Sequence, residues 1–197
     1  EKVGIKTRTL GLVAMHIIHK VAETTQWVWS SFEHNNNAPL LDSTGKADLK
    51  PGIDYLYFDE QNNDPSLYNT HPDSIYQPNP FSRKPSQIVE LSPSLKSTDR
   101  INDQFHALIA QNDKKSVWLN YRLVGTQWPF NPNLFTSGSD YQPALLANPI
   151  METYIQSTSS CMSCHSSARF LFNPSKDKKK FSYGYNSDFV WGLNDAK

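Results

Sequence analysis

The sequence predicts a single α+β domain. Three observations carry that expectation: strand-type alternation near residues 3–20 and 116–124, one apolar stripe at helical spacing over 98–111, and a middle region too rich in proline for long regular elements.

Taken in order, Val3, Ile5, Thr7 and Thr9 alternate and lead into a nearly continuous apolar run, Leu10 to Ile18. Its β-branched residues favour a strand, and its lack of polar alternation predicts one buried on both faces. His16 and His19 lie in and just beyond the run; on a strand they point to opposite faces, on a helix to one. In Gln26–His34, Trp27 and Trp29 share a face by period two, as core packing or as the wall of a binding site. Glu33 beside His34 reads as a solvated strand end, or as a group that orients an imidazole.

Eight of the thirteen prolines fall between Pro39 and Pro93. Proline removes backbone donors and holds its predecessor extended, so this stretch is expected to be irregular. Tyr55, Tyr57, Phe58, Tyr68, Tyr76 and Phe81 give it enough apolar surface to be ordered, and His71 sits in exposed turn chemistry. Ile101, Phe105, Leu108 and Ile109 then recur at helical spacing behind a Ser97 or Thr98 cap, with His106 beside the stripe. Val117, Leu119, Tyr121 and Leu123 alternate as one face of a half-buried strand. Asn148-Pro149 has the chemistry of a helix start, with Ile150, Met151, Tyr154 and Ile155 as the apolar side and the Ser/Thr cluster at 157–160 as its end. No internal repeat and no domain boundary divides residues 1–197.

Lysines and arginines equal aspartates and glutamates, 19 of each, so the formal charge is zero and nucleic acid is excluded as a natural partner. No apolar run approaches the roughly 18 residues that span a bilayer. Hydrophobic residues at 38% and aromatics at 12% suffice for a globular core.

The chemistry is concentrated in Cys161-Met162-Ser163-Cys164-His165. C-x-x-C-H is the attachment signature of a c-type haem: two thiols form thioethers to the porphyrin vinyls and the adjacent imidazole takes the iron as proximal ligand. These are the chain's two cysteines. A zinc site needs four ligands, which Cys161, Cys164 and two histidines would have to supply. A thioredoxin-type motif needs a βαβ setting that is absent, and a simple disulfide leaves His165 unexplained. One covalent haem c is therefore the expected cofactor. Phe170, Leu171 and Phe172 are expected to pack on it, and Arg122 to reach solvent or a propionate.

A sixth iron ligand must come from upstream, because residues 166–197 contain neither His nor Met. Met162 lies inside the attachment loop and Met151 stays on the proximal side, which leaves His16, His19, His34, His71, His106 and Met15. His16 is placed first, since an imidazole inside an apolar run is costly unless something engages it. His19 comes second, near the end of the run where water can satisfy it.

Gly11–Ile17, Trp27–Glu33, Asn120–Trp128 and Met151–Gln156 leading into the haem motif together resemble the C-terminal half of a large group of bacterial monohaem "cytochrome c family" proteins. The resemblance spans residues 11–197, least so between Pro39 and Pro93. It implies secretion to the periplasm or the cell exterior, one covalent haem and a longer parent chain. A fragment of such a chain is accordingly expected, with a missing N-terminal half or a companion chain. It implies no activity, and raises His16 above its neighbours. The expected role is electron transfer through bis-histidine iron. The alternatives are a peroxidase-like haem enzyme or small-ligand binder with an open distal site, and a structural subunit of a larger secreted assembly. Lys176, Lys178, Lys179 and Lys180 read as a solvated turn, or as a docking patch for an acidic redox partner.

Overall fold

The computed structural model describes residues 7–22, 27–71, 86–91, 95–129, 141–165, 169–172 and 182–186. They form an α+β domain around an antiparallel sheet of four strands in the order β1 (Ala14–Lys20), β2 (Trp27–His34), β5 (Tyr121–Pro129), β6 (Tyr141–Gln142). A short hairpin, β3 (Leu40–Leu41) with β4 (Ala47–Asp48), lies between the two long strands in sequence; β7 (Arg169–Phe172) pairs with β8 (Ser182–Asn186). The helices are α1 (Lys96–Asn112) and the single turn α2 (Cys161–His165). Among the described residues no helix is long and apolar enough to cross a membrane.

Strand pairing sorts the side chains onto two faces. Met15, Phe32 and Leu123 stand opposite one another on the face toward α1, whereas His16 is paired with Ser31, and Trp29 with Gln127, on the other. The register shifts once, between Ser31 and Phe32, so that Val124 is the extra residue of a bulge. A bulge inverts the alternation beyond it: Arg122 shares a face with Glu33, and past Val124 the odd-numbered Gly125 and Gln127 occupy that face.

The outer edge of β5 meets a helix. Asn102 on α1 donates to the Leu123 carbonyl at 2.9 Å and accepts the Leu123 N–H at 2.8 Å, while His106 Nε2 lies 2.7 Å from the Tyr121 carbonyl. Side-chain groups thus take the place of a neighbouring strand and satisfy backbone groups that an edge would leave open. His106 is committed to this role.

Several expectations need correction. The Leu10–Ile18 run is not a strand buried on both faces: the strand begins at Ala14, it is the outermost of the sheet, and Leu10 is 87% exposed. Ile17, on the same face as Met15 but farther along the strand, is half exposed. Val117–Asn120 is a 3-10 turn, and the strand starts only at Tyr121. Ser97 and Thr98 lie inside the first turn of α1, whose cap position is Leu95. The α1 stripe is shallowly covered, with Phe105 and Leu108 more than half exposed above an apolar groove of about 270 Å³ that also touches Met15, Phe32 and Trp118. Residues 149–158 form successive turns instead of a helix, although Asn148 does cap them through Ile150 N–H at 3.0 Å. Met151, Tyr154 and Ile155 are exposed.

The proline-rich middle is irregular and ordered where described, as expected. Tyr55, Phe58 and Val89 form its buried cluster, with Tyr68 and Leu41 packed against it. His71 is exposed and meets Tyr154 edge-on. Tyr76, Phe81 and the Lys176–Lys180 run lie outside the described residues, as do the side chains of Phe170, Leu171 and Phe172.

Candidate haem-attachment site

The C-x-x-C-H stretch folds as α2, and side chains from outside it fix where that turn sits. Ser160 caps it: its hydroxyl accepts the Ser163 N–H at 3.2 Å and its carbonyl the Cys164 N–H at 3.0 Å. Gln127 on β5 is fully buried behind it. Gln127 Oε1 accepts the Met162 N–H at 2.8 Å, and Nε2 donates to Ser160 Oγ at 2.9 Å and to the Pro143 carbonyl at 2.7 Å. Met162 is completely buried with Trp29 and Tyr141, and Cys161 packs with Val124 and Leu146. The Ser/Thr cluster therefore ends one segment and opens the next.

A helical turn places residues three apart on one side, so both sulfurs can face one partner. Both cysteines are free thiols. Cys161 is buried, its Sγ donating to the Leu146 carbonyl at 3.6 Å; Cys164 is exposed. Burial pushes the Cys161 thiol up to about 12, with the Glu152 and Cys164 charges adding to it, so it stays protonated and inert in this packing.

Trp29 connects the motif to the first strand. Its ring lies 4.1 Å from that of His165, tilted by 43°, and 6.1 Å from that of His16, edge to face. His16 Nε2 is buried with no hydrogen-bond partner, and so is the indole N–H of Trp29. Desolvation lowers the pKa of His16 and the charge of His165 lowers it further, so the two imidazoles are close enough to interact. Neutral imidazole is the form that binds metal.

Of the upstream candidates, the structure brings His16 to the motif and leaves the others elsewhere. His19 is exposed on the opposite face of β1, as strand geometry requires. Met15 faces α1, His106 is bonded to Tyr121, and His34 Nδ1 accepts the Asn36 N–H at 3.2 Å while its ring meets Tyr121. No group of three or more His, Cys, Asp and Glu side chains converges among the described residues, so the four-ligand zinc set is not assembled there.

Two expectations near the site are overturned. Glu33 is not a solvated strand end: it is 2% exposed. Arg122 does not reach toward solvent or a propionate, because it sits between Glu33 and Glu90, 2.5 Å from each. Gln127 had no signal in the sequence, and Asn148 had only that of a cap. Asn148 donates to Ser31 Oγ at 3.1 Å and to the Phe32 carbonyl at 3.2 Å, tying the residues before the motif to β2.

No family model, no curated protein and no solved structure matches the chain. What the site can hold follows from its own donors. A pair of thiols one turn apart, an adjoining imidazole, and a second imidazole whose buried nitrogen has no partner are the donor set that a bis-histidine haem c requires.

Proposed function

We propose that the chain is a secreted, periplasmic or extracellular monohaem c-type cytochrome that transfers electrons, related to the bacterial monohaem group it resembles. The observation that carries this reading is the buried, partnerless Nε2 of His16 on the sheet face that holds the C-x-x-C-H turn. An orphan imidazole nitrogen in an interior costs about 1–3 kcal/mol, and coordination to a metal removes that cost.

The haem iron supplies a one-electron couple between ferrous and ferric states. Cys161 and Cys164 would hold the group covalently, and His165 and His16 would present neutral nitrogens to it. Trp29 packs on the His165 ring and limits its rotation, while Gln127 and Ser160 keep the backbone of the turn in register with β5. Cys161 is closed in by Val124 and Leu146, so this packing would have to be open for its thiol to hold the group. A redox protein is the natural partner, with Lys176–Lys180 as the docking patch.

Acid-acetone extraction followed by intact mass tests the attachment: haem should remain on the polypeptide, and release of free haem sinks the reading. The ferric protein should be low-spin, and His16→Ala should make it high-spin and able to bind carbon monoxide. A wild-type protein that is already high-spin and binds carbon monoxide at once returns His16 to the core and favours a haem enzyme with an open distal site.

A further inference from the structure

Glu33 on β2 and Arg122 on β5 are cross-strand partners, and Glu90 approaches the same guanidinium from segment 86–91. Arg122 Nη2 lies 2.5 Å from Glu33 Oε1 and 2.5 Å from Glu90 Oε2. The carboxylate side chains are only 3% and 5% exposed. Their other oxygens, Glu33 Oε2 and Glu90 Oε1, are buried without a partner. Asn37 completes the cluster: its amide lies against the Glu33 carboxyl and opposes the rise of its pKa, its Nδ2 also donates to the Val13 carbonyl at 2.8 Å, and its Oδ1 is buried without a partner.

With every group ionised, the cluster holds two negative charges and one positive. Among the described residues, the further charge that acts on the cluster is Asp99 of α1, and it is negative as well. A buried excess charge is far costlier than a buried neutral acid. One hydrogen on Glu33 Oε2 removes the charge imbalance and turns one of the orphan acceptors into a donor.

We propose that the Glu33–Arg122–Glu90 cluster binds a single proton near neutral pH, seated on Glu33, and so makes the junction between the sheet and segment 86–91 a pH-sensitive latch. Protonated, the cluster is a neutral acid beside one Arg122–Glu90 ion pair. Deprotonated, two carboxylates compete for one guanidinium, and Glu90 is the one carried by a segment outside the sheet. Burial raises the Glu33 carboxyl to about 7; Arg122 opposes that rise and Glu90 adds to it. Glu90 is raised too, by burial against the pull of Arg122.

The sign follows from linkage. The folded pKa is above the ordinary value of 4.5, so between 4.5 and about 7 the folded chain holds a proton that the unfolded chain lacks. Stability from this group is present at the acidic end of that window and is lost as pH rises through it, by up to about tenfold in the unfolding constant per pH unit. The inference does not rest on the haem.

Infrared difference spectroscopy of the intact protein tests it. At about pH 6, below the raised carboxyl, the wild type should show a protonated-carboxyl C=O band that fades as the solution is made alkaline. Glu33→Gln and Glu90→Gln should each abolish it, since either restores charge balance with Arg122. Absence of the band in the wild type, or its persistence in both variants, overturns the proposal. So does native mass spectrometry that finds a bound cation in place of the proton. If neither variant folds, the wild-type band alone decides: it should be lost as pH rises through about 7, and a band that does not titrate there refutes the latch.

Discussion

Replacing Gln127 with leucine isolates the contribution of buried hydrogen bonds to the placement of the attachment turn. Leucine is close in volume although it branches one carbon nearer the backbone, so the change leaves little cavity. What it removes is specific: the acceptor of the Met162 N–H and the donor to the Pro143 carbonyl, at 2.8 and 2.7 Å. Ser160 Oγ also loses a donor but keeps the Ser163 N–H. Each buried group left unpaired costs about 1–3 kcal/mol, and added leucine burial recovers about 1 kcal/mol. The net loss should be about 3 kcal/mol, a large share of the ~5–15 kcal/mol that holds a domain together. Urea denaturation followed by tryptophan fluorescence measures it as a lower midpoint at unchanged slope. Gln127→Glu supplies a second arm, since an ionised glutamate keeps the acceptor and loses both donors, and acidification restores one. A loss below about 1 kcal/mol for Gln127→Leu would refute the claim that these bonds, rather than the Met162 packing, hold the turn.

Two other perturbations test the packing of that region and the proposed partner. A Cβ on Gly125 would stand 2.7 Å from Leu146 Cδ1, inside the Val124–Leu146–Cys161 cluster, so Gly125→Ala should destabilise by about 1–3 kcal/mol in the same assay; a neutral outcome would mean that Leu146 swings away freely. Neutralising Lys176, Lys178, Lys179 and Lys180 should flatten the salt dependence of electron transfer to an acidic partner while leaving the haem spectrum untouched, because exposed charges act on encounter rate and are screened; an unchanged salt profile returns the run to a solvated turn.

What the sequence disclosed depended on how local the cause was. The fold class, helix α1 and the paired faces of Trp27 and Trp29 follow from periodicity, and all three were legible. So was the strand character of residues 14–20, which sets His16 and His19 on opposite faces. The edge position of that strand was not, because nothing local distinguishes an outer strand from a central one. The role of Gln127 was hidden by the bulge at Val124. Extending the alternation of Tyr121 and Leu123 assigns Gln127 to the α1 face, and one inserted residue moves it behind the haem motif. Arg122 was legible as facing away from Leu123, but the buried Glu33 and Glu90 that receive it come from two distant segments.

The interior beside the motif is polar to a degree that bears on its use. The apolar cluster there contains Trp29, Tyr141 and Met162, and around it Ser31, Gln127, Asn148, Thr153, Gln156 and Ser160 are also buried. Apolar contact is nondirectional and tolerates small rotations, whereas a buried amide with three partners fixes both distance and angle. Trp29 and Gln127 are paired across β2 and β5, so the residue that touches His165 and the residue that holds the Met162 N–H share one backbone register. His16 hangs from the next strand over, paired with Ser31 on the same face. The two imidazoles come from opposite ends of the chain, yet their separation is set by adjacent strands of one sheet and a hydrogen-bonded turn. On the proposed reading this is what an electron carrier would need: imidazole nitrogens held in place while the bound group gains or loses an electron. The test of that argument is comparative. Trp29→Phe keeps an aromatic face for His165 and should leave the spectrum low-spin, whereas Gln127→Leu frees the turn itself and should broaden or mix the spin state.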